Sequence, residues 1–156
     1  MPQIHGTALV HPTANIGGDA SIGEYARIGE GASIGRGARI GEGASIGRGA
    51  RISEDASIGE YTSIGEYARI GEYASIGEGA NIGEGGVLSA RRRAIHLQGL
   101  GEYRVTIYDS HIMIGCTTDT IYGWRTRQDL TQAPALAAYM HQICLIAEQF
   151  QGGNPQ

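Results

Sequence analysis

An aliphatic residue stands at every sixth position from Ile4 to Leu88: Ile4, Val10, Ile16, Ile22, Ile28, Ile34, Ile40, Ile46, Ile52, Ile58, Ile64, Ile70, Ile76, Ile82 and Leu88. A period held so long without a slip marks a repeat architecture. From Ala8 onward the residue two before each of these is Ala, with Thr62 and Gly86 as the exceptions. A spacing of two puts the large and the small residue on one face of a strand. Each hexad therefore predicts a short strand and a turn, with those two side chains inward and the residue between them outward. The outward residues read Asn15, Ser21, Arg27, Ser33, Arg39, Ser45, Arg51, Ser57, Ser63 and Arg69.

Glycine supplies 26 of the 156 residues. It follows no three-residue period and is interleaved with isoleucine, which excludes a collagen helix and a flexible linker. Its places are the turns: Gly17, Gly23 and Gly29 follow an isoleucine, and Gly31, Gly37, Gly43 and Gly49 stand where a positive φ favours glycine. Tyr25, Tyr61, Tyr67 and Tyr73 fall at exposed corners beside Glu, as solvent-facing residues or subunit contacts. Such short strands cannot bury enough alone, so the hexads stack, each strand pairing with the same strand one coil above.

This repeat resembles the hexapeptide-repeat superfamily. The resemblance implies a left-handed parallel β-helix with three hexads to a triangular coil, and so an all-β solenoid of about five coils, roughly 24 Å tall at the usual strand spacing. The handedness comes from the resemblance, since the ordinary crossover rule gives the opposite hand. The opening, Ile4-His5-Gly6-Thr7-Ala8-Leu9-Val10-His11-Pro12-Thr13-Ala14, resembles the first coil of many sugar-nucleotide acyltransferases and γ-class carbonic anhydrases. The next small inward position after Gly86 is Arg92, which cannot enter an apolar prism unpaired. The expected division is a β-helix over 1–88, a connector over 89–101 and a C-terminal element over 102–156.

In that last element the period changes to two. Residues 103–108 and 111–114 predict strands around a turn at Asp109-Ser110, with a third short strand over 120–124. From 132 to 151 the spacing predicts a helix, with Pro134 in its first turn, Leu136, Tyr139, Met140, Ile143 and Phe150 on one stripe, and Gly152-Gly153 at its end. Its apolar face needs the solenoid or a neighbouring subunit to cover it. The stretch from Met113 to Trp124 resembles a C-terminal extension of bacteriophage and prophage hexapeptide-repeat proteins. That match rests on Ile114, Gly115, Cys116, Thr120 and Trp124, and departs at Asp119, where such proteins often have His. It implies a viral or mobile-element origin.

The formal net charge is −4 and every base is Arg, which argues against a bulk nucleic-acid binder. Cys116 and Cys144 are too few for a disulfide framework, and no leader or membrane span is expected. A cytoplasmic protein is the expectation, in the host cytoplasm if phage-encoded. Charge is uneven: residues 1–88 hold six Arg and eleven acids, whereas 89–156 hold six Arg and five acids.

Acyltransferase is the activity the superfamily most often implies, with a His general base near a subunit interface and acetyl-coenzyme A as acyl donor. Residues 12–95 contain no histidine, so the solenoid body offers no base, and His96 and His111 are the candidates if the chain is an enzyme. A carbonic anhydrase needs three metal-ligating His within the coils, which are missing. His5 and His11 read as first-coil turn residues, and His141 as a helix surface residue. The alternative chemistry is an anion pocket built by Arg91, Arg92 and Arg93, which threefold symmetry would bring together in a homotrimer and whose guanidinium forks suit phosphate. Its structural counterpart is a set of arginines capping the prism or pairing with Glu84. His96, Tyr103, Arg104, His111, Tyr122 and Trp124 would stack a base or sugar beside the cluster. On these residues the sequence favours a non-catalytic homotrimer that captures a small anionic, nucleotide-type ligand, with no cofactor and no metal, in a counter-defence role if phage-encoded. An acetyl-coenzyme A-dependent acyltransferase and a purely structural module are the alternatives.

Overall fold

A computed structural model describes residues 1–89, 93–97, 105–108, 111–114, 117–126 and 143–149, with residues 93, 95, 97 and 125 described by backbone alone. The hexads form fifteen two-residue strands on three faces. Face A carries β1 (Gln3–Ile4), β4 (Ser21–Ile22), β7 (Arg39–Ile40), β10 (Ser57–Ile58) and β13 (Ser75–Ile76). Face B carries β2 (Leu9–Val10), β5 (Arg27–Ile28), β8 (Ser45–Ile46), β11 (Ser63–Ile64) and β14 (Asn81–Ile82). Face C carries β3 (Asn15–Ile16), β6 (Ser33–Ile34), β9 (Arg51–Ile52), β12 (Arg69–Ile70) and β15 (Val87–Leu88). Each strand pairs in parallel with its equivalent one coil on, as Gln3 with Ser21 and Ile4 with Ile22. The result is the five-coil parallel β-solenoid that the repeat predicts.

The inward columns are dry. Ile22 to Ile82 are 0–3% exposed and Ala20 to Ala80 0–1%. Thr62 takes one Ala position and stays buried because its hydroxyl donates to the Gly77 carbonyl at 3.1 Å. The third turn position has positive φ: Gly at 31, 37, 43, 49, 79 and 85, but also Asp19, Tyr25, Asp55, Tyr61, Tyr67 and Tyr73. Its amide donates to a carbonyl one coil earlier, as Tyr61 N does to Glu42 O at 2.8 Å. In the first coil that acceptor is a side chain: Thr7 Oγ1 accepts from Tyr25 N and Thr13 Oγ1 from Gly31 N, each at 3.0 Å. His5 Nδ1 and His11 Nδ1 lie 2.9 and 2.8 Å from those hydroxyls. The two histidines are turn residues that orient the capping threonines. Coil 1 is the open end, where Ile4 is 44% exposed and Ala8, Val10, Ala14 and Ile16 are half-buried.

At the other end the parallel register runs one strand beyond Leu88. Strand β16 (Arg93–Leu97) adds to β13 with Ala94 opposite Ile76, and Ala94 is buried in the large inward column. β16 then continues straight, and β17 (Val105–Tyr108), β18 (His111–Ile114) and β19 (Thr117–Thr120) extend it antiparallel. One side of this sheet closes the prism: Tyr108 and Met113 join the solenoid core, and buried Thr106 accepts a hydrogen bond from Asn81 N at 2.9 Å. The other side buries Val105, Ile107, Ile112 and Ile114 against Ile121, Trp124, Ile143, Cys144 and Ala147. The sheet is a lid, and its outer face is covered within the same chain.

The third strand differs from expectation. It spans Thr117–Thr120, and Ile121–Thr126 is a helix, α1. Thr120 ends the strand as an N-cap, its Oγ1 accepting from Gly123 N at 2.9 Å, and Ile121 and Trp124 then share the buried helical face. Residues 143–149 are helical, inside the span predicted. Asp109-Ser110, Cys116, Pro134, Leu136, Tyr139, Met140, His141, Phe150 and Gly152-Gly153 lie outside the described residues.

Candidate active site

β16 carries His96 past the corner between faces A and B, two residues beyond Ala94 as Glu78 is two beyond Ile76. The ring is half-buried, and its Nδ1 lies 2.9 Å from the Val105 carbonyl oxygen. A carbonyl only accepts, so Nδ1 holds the proton and Nε2 keeps its lone pair. That hydrogen bond fixes both tautomer and ring plane, the arrangement an imidazole base requires. Gly79, at φ +67°, leaves space beside the ring: a Cβ there would stand 3.4 Å from His96 Cδ2.

Below His96 the corner between faces A and B is a column of Glu24, Glu42, Glu60 and Glu78, one per coil. Tyr61 Oη donates to Glu42 Oε1 at 2.8 Å, and that hydrogen bond together with the Glu42 charge holds the phenol above its ordinary value of 10.0. At each of the other two corners one Arg stands among the acids. Arg48 Nη2 donates to Glu66 Oε2 at 3.1 Å and its guanidinium lies 5.5 Å from the Tyr67 ring centroid, while Arg36 lies 3.9 Å from Glu54. The Glu66 charge raises the Arg48 pKa above its ordinary value.

The other predicted site residues among the described ones do not converge on His96. His111 stacks on Tyr108, with ring centroids 6.0 Å apart. β17 separates its strand from that of His96, which stands opposite Thr106, whereas His111 stands opposite Tyr108. Tyr122 is 76% exposed on α1, beyond the far side of the lid. Trp124, expected to stack a ligand, is instead a core residue: it is 3% exposed and its Nε1 donates to the Ile112 carbonyl at 2.7 Å. An indole whose donor and ring faces are both used by the fold has no surface left for a base or sugar. Arg91, Arg92, Tyr103 and Arg104 lie outside the described residues, and Arg93 is described by its backbone in β16.

The residues that sequence reasoning missed are the Val105 carbonyl and Gly79. A backbone acceptor has no side-chain signal, and the approach of Gly79 to His96 depends on β16 running straight where every earlier strand turns. Among the described residues no group of three or more His, Cys, Asp or Glu could hold a metal ion. A shallow cavity of about 590 Å³ on face B is lined by Leu9, Val10, His11, Arg27 and Ser45, among others.

Residues 37–72 match the family described as bacterial transferase hexapeptide (six repeats). No curated protein matches the sequence. Among solved structures the chain is similar to GDP-perosamine N-acetyl transferase from Caulobacter crescentus in complex with CoA and GDP-perosamine, at 24% identity over 57% of this chain and 45% of that one, with a TM-score of 0.49. It is similar to a serine acetyltransferase from Neisseria gonorrhoeae in complex with serine, at 24% identity over 57% of this chain and 39% of that one, TM-score 0.49. It is also similar to the acetyltransferase domain of PglB from Neisseria gonorrhoeae, at 24% identity over 58% of this chain and 50% of that one, TM-score 0.40. The chain thus spans half or less of the length of each. No helix among the described residues is long and apolar enough to cross a membrane.

Proposed function

We propose that the chain is an acyltransferase that moves an acetyl group from acetyl-coenzyme A to an amine or hydroxyl acceptor, working as a homotrimer with His96 as general base. The observation that carries this reading is the His96 ring held through Nδ1–H to the Val105 carbonyl, with Nε2 left to accept a proton. The transferase hexapeptide match over 37–72 supports the same class. As the acceptor nitrogen or oxygen attacks the thioester carbonyl, Nε2 takes its proton, and the sulfur leaves as the carbon–sulfur bond breaks. The Val105 carbonyl stabilises the imidazolium that forms at this step. Burial of Trp124 removes one wall from the nucleotide-capture reading.

The test is acetyl-coenzyme A-dependent thermal stabilisation, followed by free-thiol release with a panel of amine and hydroxyl acceptors. Wild type is expected to bind and turn over. His96→Gln should bind equally well and lose on the order of 100-fold or more in kcat, within the range of a general base, while His111→Gln stays near wild type. Absence of coenzyme-dependent stabilisation, or full activity in His96→Gln, overturns the assignment.

A further inference from the structure

Tyr25, at the corner between faces A and B, differs from Tyr61 and Tyr67. All three are more than half exposed and have positive φ, but Tyr61 donates to Glu42 and Tyr67 lies against Arg48, whereas the Tyr25 side chain has neither kind of partner among the described residues. Gly43 and Gly79 take the same backbone at the same corner without a side chain, so the stack itself does not call for a tyrosine there. The surface that suits its ring is the shallow cavity on face B, about 590 Å³, lined by Leu9, His11, Pro12, Arg27 and Ser45, among others. Leu9 is 63% exposed and is the one apolar residue among the outward positions of that face, which otherwise read Arg27, Ser45, Ser63 and Asn81. Arg27 is exposed and makes no ion pair among the described residues. An aliphatic side chain beside an unpaired guanidinium offers a phenol ring an apolar wall and a cation for its face.

The tyrosine and the cavity share a height. Leu9, Arg27 and Ser45 stand in register on successive coils, so the cavity centres on Arg27 in coil 2 (β4, β5, β6), and Tyr25 is a corner residue of that coil. A rotation about an axis parallel to the solenoid leaves every coil at its own height, so coil 2 of one copy meets coil 2 of the next. In a three-sided coil a corner and the face beside it point about 60° apart, the angle at which a contact between two different surfaces closes on the third copy. We infer that Tyr25 of one copy inserts into the face B cavity of the next, coils level, with its ring against Leu9 and Arg27, around a closed ring of three. The contact needs no ion pair from the corner acids. Glu24 lies 3.4 Å from His5, Glu42 accepts from Tyr61, and Glu60 and Glu78 come level with Ser63 and Asn81, which can donate to them. The contact rests on the homotrimer reading, which it deepens by naming the surfaces that meet, and it does not depend on the acyltransfer chemistry.

The experiment is native mass spectrometry and sedimentation of the full chain, with four variants. Wild type is expected to be a trimer. Tyr25→Gly keeps the backbone that Gly43 and Gly79 adopt and removes only the ring, and it should associate roughly 30-fold more weakly, the loss of an aromatic anchor from its pocket. Leu9→Ser with Arg27→Ser should do the same, and the triple variant should lose little more than either, because a tyrosine and the pocket it fills act as one contact. Arg39→Ser, on face A, should assemble like wild type. All four positions lie on the surface, and an unchanged circular dichroism spectrum shows that the solenoid is intact. A wild-type monomer overturns both the homotrimer and this contact. A trimer indifferent to Tyr25→Gly, losses that simply add in the triple variant, or a loss with Arg39→Ser and none with Leu9→Ser and Arg27→Ser, overturns the contact alone. Retention of a small molecule by wild type, lost with Leu9→Ser and Arg27→Ser while assembly is unchanged, assigns the cavity to that molecule and overturns the contact as well.

Discussion

Two glycine roles alternate along the corners. Gly35 has no positive φ, yet a Cβ there would lie 2.5 Å from the Glu54 backbone nitrogen, because consecutive coils touch backbone to backbone at this position. Gly31 has φ +61° and open space around it. Alanine at Gly31 therefore costs only the left-handed conformation, about 1 kcal/mol. Alanine at Gly35 must push two coils apart and is expected to cost about 3 kcal/mol, at the top of the overpacking range. Urea unfolding of the two variants orders them, and equal costs would show that the coils yield at Gly35. The tyrosine corners follow the same steric logic, since a Cβ at Gly43 would collide with the Tyr61 ring and one at Gly49 with the Tyr67 ring. The Tyr61 and Tyr67 rings thus lie over glycines one coil earlier, which have no side chain to displace them.

The lid shows how far the sequence can be read at the scale of the element. The solenoid was legible because one interaction, an inward aliphatic pair, repeats with a fixed spacing and leaves its period in the chain. The lid has no period, and its strand at Thr117–Thr120 and helix at Ile121–Thr126 are decided by one N-cap at Thr120 and by packing against Ile112 and Ile114. Residues of high strand propensity such as Ile121, Tyr122 and Trp124 enter a helix because that sheet face must be covered. His96 was legible as a candidate because it is rare, but its tautomer was not, since Val105 contributes only backbone. The role of Trp124 follows from the same packing and is testable. Trp124→Phe keeps most of the buried area and loses the Nε1 donor to the Ile112 carbonyl, so it should cost about 1–2 kcal/mol. Thermal melts read that loss, and acyl transfer at a temperature where the variant is folded should match wild type. A selective loss of substrate affinity in a fully folded variant would return Trp124 to a binding role.

At the scale of the whole molecule the solenoid is a stack in which each coil contacts mainly its neighbours, so the contribution of a rung depends on where it lies. Its two ends are unlike. The lid closes one, where Leu88 is fully buried and Ala94, Tyr108 and Met113 complete the core, while Ile4 at the other end is 44% exposed. Ile4 and Ile40 occupy the same inward column of face A, in coils 1 and 3, and differ in burial rather than in chemistry. Ile40→Ala opens a cavity between occupied coils and should cost about 2–5 kcal/mol. Ile4→Ala removes a side chain that already meets solvent and should cost under about 1 kcal/mol. Coil 1 then frays without carrying the stack with it, so amide exchange in β1 should quicken while β7 and β10 keep their protection. Both costs come from urea unfolding of the isolated variants, at protein concentrations spanning the assembly transition. Should Ile4→Ala cost as much as Ile40→Ala, the first coil is covered in solution by something that the monomer does not contain, and a dependence of that cost on protein concentration would identify the cover as another copy.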